Sequence, residues 1–252
     1  MEEFIKQSDE FLQKLTEEEN LRTYIVNSNL SILVLSAAYG ATMGIYSGGL
    51  QILYSALKVP LLLLLALYLT VPSYHVLYSL LGGKQSLGQT VMHLLFGFTI
   101  MSTVLIAMVP VNLFFIITTT NSSTAHAFTA LLNIAIFALG GFFALTYFIK
   151  GVKALFGEHS ENWRPAFLLG SVILMFVGTQ LAWVLRPFFN YYPGFIRPLE
   201  SNFYTAVIDL VARSLSVFGP IIIAFGLIFV VWLFYSELIS REREETQRSP
   251  HE

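Results

Sequence analysis

The chain has 252 residues, of which 55% are hydrophobic and only 12% are Asp, Glu, Lys or Arg, about half the charged fraction of a soluble domain. Its net charge of -2 argues against a nucleic-acid-binding protein, and the absence of Cys excludes disulfides and cysteine metal ligands. No Asp or Glu occurs between Glu19 and Glu158, so the middle of the chain cannot keep a water-facing surface solvated. The composition therefore predicts a membrane protein whose middle faces lipid.

The first segment of the chain, residues 1–23, is polar and acidic. Its apolar residues recur at spacings that gather them on one side of a helix: Phe4, Ile5, Phe11, Leu12 and Leu15. We predict an amphipathic N-terminal helix. It either lies on the membrane surface or against neighbouring loops, or it docks a partner.

Six hydrophobic stretches follow, and each is long enough for a membrane-crossing helix, which needs about 20 apolar residues. They cover residues 24–46, 59–81, 90–117, 127–149, 166–185 and 217–238. We predict an all-α protein, a polytopic helical membrane bundle with six transmembrane helices in residues 24–239 and a polar tail in residues 240–252. The third stretch is too long for a bilayer of ~30 Å, so we expect it to tilt, to bend near Pro110 or to project from the outer surface.

Residues 47–58, between the first two stretches, are too polar to form a span of their own. We expect this segment to lie at the outer interface, with Lys58 extended towards water.

The distribution of Lys and Arg predicts the orientation, because cytoplasmic loops keep these residues and translocated loops lose them. With six spans and both termini in the cytoplasm, ten of the 14 Lys and Arg lie on the cytoplasmic side. The other four are Lys58, Arg186, Arg197 and Arg213. The uncharged turn at residues 118–124 then lies outside.

Three glycines in the first span, Gly40, Gly44 and Gly48, are spaced four residues apart. This spacing places them on one helix face, where a neighbouring backbone can approach closely. We predict that they form a helix-packing contact within the bundle. The alternative is a face that lines a ligand path or joins two copies of the chain.

Polar residues within the spans are candidates for function, because each is costly in hydrocarbon. The histidines are His75 and His93, and Asn112, Asn133 and Gln180 add uncharged polarity. The first five spans have no carboxylate, the group that most often relays protons or coordinates sodium in secondary transporters. We expect each histidine to be hydrogen-bonded inside the bundle; the alternative is a proton carrier.

Residues 186–204, after the fifth stretch, combine two Arg-Pro pairs with Glu200 and seven aromatic rings. Proline restricts its own backbone and that of its predecessor, which favours an ordered loop. Arg186, Arg197 and Glu200 then form either an interfacial belt of anchors or a lid or docking surface at the outer mouth of the bundle.

Asp209 and Arg213 follow this loop and are four residues apart, in the order that favours an ion pair on a helix. Such a pair would hold the sixth span in register. Alternatively, Asp209 pairs with an arginine of the preceding loop.

No catalytic motif occurs in the sequence: there is no phosphate-binding glycine loop, zinc helix or nucleophile elbow. The five histidines are not clustered at metal-ligand spacing. We therefore expect no enzyme activity, no metal and no other cofactor.

Two sets of short sequences resemble known membrane proteins. Residues 58–60 read Lys-Val-Pro, and residues 81–89 read Leu-Gly-Gly-Lys-Gln-Ser-Leu-Gly-Gln. They resemble the Yip-like family, whose bacterial members often join the second and third spans by a Gly-Gly-Lys turn. The whole chain, including residues 178–188 and 201–204, also resembles a widespread set of bacterial six-span inner-membrane proteins. Neither resemblance supplies active-site residues.

These resemblances imply a multi-pass protein of the cell inner membrane. We expect a non-enzymatic integral membrane protein that organises or assists a membrane complex, in contact with the bilayer and with a membrane-protein partner or a second copy. The alternative is a small-solute or lipid transporter or a channel. A midplane cavity lined by His75, His93 and Gln180 would favour transport, and a solid bundle would favour the scaffold.

Overall fold

The structure is a computed structural model that describes residues 21–119, 123–157, 160, 162–187, 204–209 and 211–212, with the backbone alone for residues 123–126. The acidic segment up to residue 20, the sixth hydrophobic stretch at residues 217–238 and the tail at residues 240–252 lie outside these ranges.

The described residues form six helices of ten residues or more, and they contain no strand. These helices are α1 (Leu21–Ile45), α2 (Leu50–Leu80), α3 (Leu87–Ala107), α4 (Val109–Thr118), α5 (Ser123–Phe156) and α6 (Trp163–Leu185). All but α4 contain a segment long and apolar enough to cross a membrane. The predicted all-α helical bundle is confirmed, and the protein is a multi-pass membrane protein. Residues 21–23, which we had assigned to the amphipathic segment, belong to α1.

The turn between α2 and α3 follows from its sequence. Gly82 adopts a φ of 88°, and the amide of Gly83 donates to the Tyr78 carbonyl at 2.8 Å, which ends α2. The Ser86 side chain accepts from the amide of Gln89 at 3.1 Å, and the Gln89 side chain accepts from the amide of Ser86 at 2.8 Å. This capping box begins α3.

The third hydrophobic stretch is interrupted next to Pro110, the position of the bend that was one of the three expected outcomes. α3 ends at Ala107, and α4 begins at Val109 with Pro110 in its first turn. A proline is tolerated there because the amides of a first turn have no partner within the helix.

Residues 50–58 are part of α2 and do not form a separate segment between the first two helices. Their position at the outer interface stays a prediction. The turn is shorter than expected and contains Gly48 and Gly49, with φ of 69° and 55°. The polar residues Gln51, Ser55 and Lys58 are buried. Their spacings of four and three residues place them on one face of α2, which is why a polar sequence fits within a spanning helix.

The helices pack as a bundle in which α1 contacts α2, α3 and α4. α2 also contacts α3 and α6, and α5 contacts α3, α4 and α6. Lipid tails are as apolar as leucine, so close van der Waals contact and interhelical hydrogen bonds hold such a bundle together.

The bundle has two ends. The Asn162 side chain donates to the Leu81 carbonyl at 2.9 Å, so the turns that precede α3 and α6 adjoin. We name this the Lys84 end; it also holds Arg22, Lys150, Lys153 and Arg164. α1 and α6 finish at the opposite end, which we name the Arg186 end.

Candidate functional site: a buried polar layer and the Arg186 end

The first two helices meet at two of the predicted packing glycines. A Cβ on Gly40 would overlap the carbonyl oxygen of Ser55, and a Cβ on Gly44 would overlap Ile52 Cα. These glycines therefore let the α2 backbone approach α1 closely. Gly48 does not share this contact: it lies in the turn after α1, and a Cβ there would meet nothing within 4 Å. The prediction for Gly48 is wrong because the helix has already ended at Ile45.

Buried polar residues lie beside this contact, in the half of the bundle nearer to the Arg186 end. The Tyr39 hydroxyl of α1 donates to Asn133 Oδ1 of α5 at 2.7 Å. Asn112 Nδ2 of α4 donates to the Thr42 hydroxyl of α1 at 3.0 Å. Thr42 in turn donates to the Tyr39 carbonyl at 2.7 Å. These hydrogen bonds link three helices inside the membrane domain.

α2 contributes a cation to the same region. Lys58 is only 1% exposed, and it lies next to Val59, which packs against Gly40. The expectation that Lys58 extends to water is therefore wrong. We name the set of Tyr39, Thr42, Ser55, Lys58, Asn112 and Asn133 the polar layer.

Two atoms of the polar layer have unused hydrogen-bonding capacity. Ser55 Oγ and Asn112 Oδ1 are buried and make no hydrogen bond within the described part of the chain. Buried polar atoms normally have a partner in the protein or in ordered water. Ser55 and Asn112 are therefore the places in the layer where a further hydrogen bond can form.

The intramembrane residues His75, His93 and Gln180 are not brought to one place. His75 Nδ1 lies 3.3 Å from Thr90 Oγ1, close to the Lys84 end. Gln180 is exposed on α6, five residues before the end of that helix, and so lies towards the Arg186 end. The lining that would favour a transport cavity is therefore not formed by these three residues.

His93 is buried among aromatic rings instead of facing a polar path. Its ring centroid lies 5.1 Å from that of Phe148 and 6.1 Å from that of Tyr78. A Cβ on Gly151 would overlap the imidazole, so the α5 backbone packs directly on the ring. The prediction that His93 is hydrogen-bonded is not met at Nε2, which is buried without a partner.

Arg186 has an unusual conformation at the end of α6. Its φ is 46°, the single positive value among the described non-glycine residues. Its amide donates to the Ala182 carbonyl at 2.9 Å, and its guanidinium carbon lies 4.1 Å from the centroid of the Trp183 ring. Nε and Nη2 of this guanidinium are buried and make no hydrogen bond to a described residue.

The other predicted residues of this end can be placed only in part. Arg197, Glu200 and Arg213 lie outside the described residues, so the predicted loop surface and the ion pair of Asp209 with Arg213 stay predictions. Asp209 is exposed on the helical stretch at residues 204–209. That stretch begins beside α6, where the Tyr204 hydroxyl lies 3.4 Å from Thr179 Oγ1.

Neither a protein-family model nor a curated protein nor a solved structure matches this chain.

Sequence reasoning missed the burial of Lys58 and the hydrogen bond between Asn112 and Thr42. One available signal was the spacing of Gln51, Ser55 and Lys58, which follows the period of a single helix face. No sequence signal paired Asn112 with Thr42, because that contact depends on the packing of α4 against α1 after the break at Met108.

Proposed function

We propose that this chain is a non-enzymatic integral membrane protein that organises or assists a membrane complex. It binds another membrane protein, or a second copy of itself, at the Arg186 end. The observation that carries this proposal is the Arg186 guanidinium, which is stacked on Trp183 and has two buried nitrogen atoms that find no acceptor among the described residues. If the guanidinium turns outwards when a partner docks, a carboxylate or a backbone carbonyl of that partner would satisfy these donors. Arginine and tryptophan are also among the residues most enriched in interface hot spots.

Gln180 supports a partner at the same end. It is exposed on α6, where a polar side chain is costly in lipid. Gln side chains at the surface of a membrane helix form hydrogen bonds to neighbouring helices. A partner helix packed there would lie within reach of both Gln180 and the end of α6.

The same proposal places the protein in the cell inner membrane with the Lys84 end in the cytoplasm. Its support is the resemblance to Yip-like and bacterial six-span proteins, together with the distribution of charge. Five of the described Lys and Arg lie at the Lys84 end, whereas Lys58 and Arg186 lie in the opposite half. An excess of Lys and Arg at one end of the spans is typical of the cytoplasmic side.

The proposal is tested by purification in a mild detergent that preserves membrane complexes. A protein that travels with the chain is identified by mass spectrometry, and the purification is repeated with Arg186→Ala. We expect loss of the partner while the variant keeps the wild-type thermal unfolding temperature. Arg164→Ala is the matched control, because Arg164 also lies over a tryptophan ring, but at the Lys84 end.

One observation favours the alternative function, a transporter or channel. The polar layer contains a buried cation, and intramembrane cations often mark a substrate path. Ser55→Cys distinguishes the two functions, because the native chain has no Cys. A water path through the layer would let a small charged thiol reagent modify the introduced thiol in intact membranes. The scaffold predicts that this position is protected and that Ser47→Cys, exposed in the turn before α2, reacts.

A further inference from the structure

Three basic side chains lie at or beside the two adjoining turns of the Lys84 end. Lys84 lies in the turn before α3, close to the carbonyl of Leu81 that binds Asn162. Lys153 lies near the end of α5, and Arg164 is the second residue of α6. All three side chains are exposed.

Two of these cations share one aromatic ring. Lys153 Nζ lies 4.5 Å from the centroid of the Trp163 ring, and the Arg164 guanidinium carbon lies 5.7 Å from it. The indole therefore holds two positive groups close together at the point where α6 enters the membrane. We name Lys84, Lys153, Trp163 and Arg164 the Trp163 surface.

The described part of this end has no carboxylate. Among the described residues Asp209 alone carries one, and its helical stretch starts beside Thr179, towards the other end of α6. Glu158 and Glu161, which stand between α5 and α6 in the sequence, lie outside the described residues. The cations of the Trp163 surface thus have no counter-charge on the described parts of the helices that present them.

We propose that the Trp163 surface binds the headgroup of an anionic phospholipid. Phosphate oxygens accept strong hydrogen bonds from ammonium and guanidinium groups. Tryptophan is enriched at the depth of the headgroups, so Trp163 fixes the surface at the level where the phosphate lies. Basic residues next to a span are attracted to the negative surface of anionic membranes. The positive charge, the tryptophan and the position at the ends of two spans therefore all favour an anionic phospholipid as the ligand.

This site is independent of the partner surface at the Arg186 end. It gives the bundle a preferred lipid at the junction of α5 and α6, where the hydrogen bond between Asn162 and Leu81 joins two otherwise separate turns. A bound headgroup would bridge the same two turns through Lys84 and Arg164 and so stabilise this end of the bundle.

The test uses Trp163 as its own reporter. The chain has three tryptophans, and Trp183→Phe with Trp232→Phe leaves Trp163 as the only one. This protein is placed in phosphatidylcholine nanodiscs that contain increasing fractions of brominated phosphatidylglycerol, and in a matched series with brominated phosphatidylcholine. Bromine quenches indole fluorescence only at short range. We expect phosphatidylglycerol to reach half of its maximal quenching at a several-fold lower mole fraction than phosphatidylcholine.

Charge-removing variants decide the assignment. Lys153→Gln with Arg164→Gln should lower the preference for phosphatidylglycerol at least about fivefold, and high salt should weaken it in the parent protein. Arg186→Gln, at the other end, should leave it unchanged. Lys84→Gln alone provides a milder variant if the double variant unfolds. Equal quenching by the two lipids would overturn the proposal. That result is expected if the acidic segment at residues 1–20 covers the Trp163 surface and excludes the headgroup. The proposal would also be overturned if the double variant, or Lys84→Gln where the double variant unfolds, folds and keeps the preference for phosphatidylglycerol.

Discussion

The Tyr39 hydroxyl donates a 2.7 Å hydrogen bond to Asn133 Oδ1 across 94 positions of the chain. α1 and α5 share little backbone contact, so this side chain bridges a gap between them. The Tyr39 ring also meets Phe137 edge-on, with centroids 5.9 Å apart. Asn133 is held from the other side by its own hydrogen bond to the Thr129 carbonyl at 2.8 Å. Tyr39 therefore links α5 directly to the first helix of the bundle, in addition to the packing of α5 against α3, α4 and α6.

Tyr39→Phe is expected to destabilise the protein by about 1 kcal/mol, because it leaves Asn133 Oδ1 buried without its donor. Tyr78→Phe is the matched control, since Tyr78 is equally buried and its hydroxyl has no hydrogen-bond partner. Thermal unfolding in detergent measures both. Equal loss of stability in the two variants would show that the hydroxyl of Tyr39 contributes nothing beyond the shape of its ring.

Gly44→Leu is expected to lower stability by about 1–3 kcal/mol or to prevent folding, because the new side chain would force the α2 backbone away from α1. Gly141→Leu provides the control at a helical glycine whose Cβ position has nothing within 4 Å. Gly49 is unsuitable as a control because its φ of 55° disfavours any side chain. The comparison is made by the yield of monodisperse protein and by its unfolding temperature; matched behaviour of the two variants would contradict the close helix contact.

The course of the chain through the membrane could largely be predicted from the sequence. The predicted fifth span, residues 166–185, ends at the same residue as α6, and the first, residues 24–46, ends one residue after α1. The break near Pro110 was also predictable, because the first turn of a helix accommodates proline without losing a hydrogen bond. Pro60 and Pro72 show that this rule is not strict, since both lie inside α2. These features depend on local composition and on the length that a bilayer requires.

The candidate site could not be predicted in the same way. Lys58 appeared to be an interfacial residue because its sequence neighbours are polar, whereas its burial depends on the face that α2 turns to α1. That face is set by Gly40 and Gly44, whose contact with α2 is a tertiary property. Gly48 was wrongly included in this face because the four-residue spacing of glycines continues in the sequence after the helix has ended. Pairs such as Asn112 and Thr42, 70 positions apart, have no local signal at all.

The orientation of the chain can be tested by cysteine labelling, since the native protein contains no Cys. Lys84→Cys and Lys153→Cys should react with a membrane-impermeant thiol reagent from one side of the membrane. Ser47→Cys and Asn121→Cys should react from the other side, because a spanning helix separates each from the Lys84 end. Labelling of positions 121 and 153 from the same side would contradict the arrangement of spans.

The proposed role of Arg186 in binding a partner is tested by comparing Arg186→Lys with Arg186→Ala. A membrane anchor needs only a long cationic side chain, so lysine would replace it. A guanidinium that stacks on Trp183 and donates from two nitrogens to a partner cannot be replaced by an ammonium. The measurement is the amount of partner, or of second copy, that co-purifies per molecule of chain in mild detergent. We predict that both variants fold and that both lose at least about 90% of the associated protein, the tenfold loss that about 1.4 kcal/mol produces. Full retention of the complex by Arg186→Lys would contradict the account and leave Arg186 as an anchor.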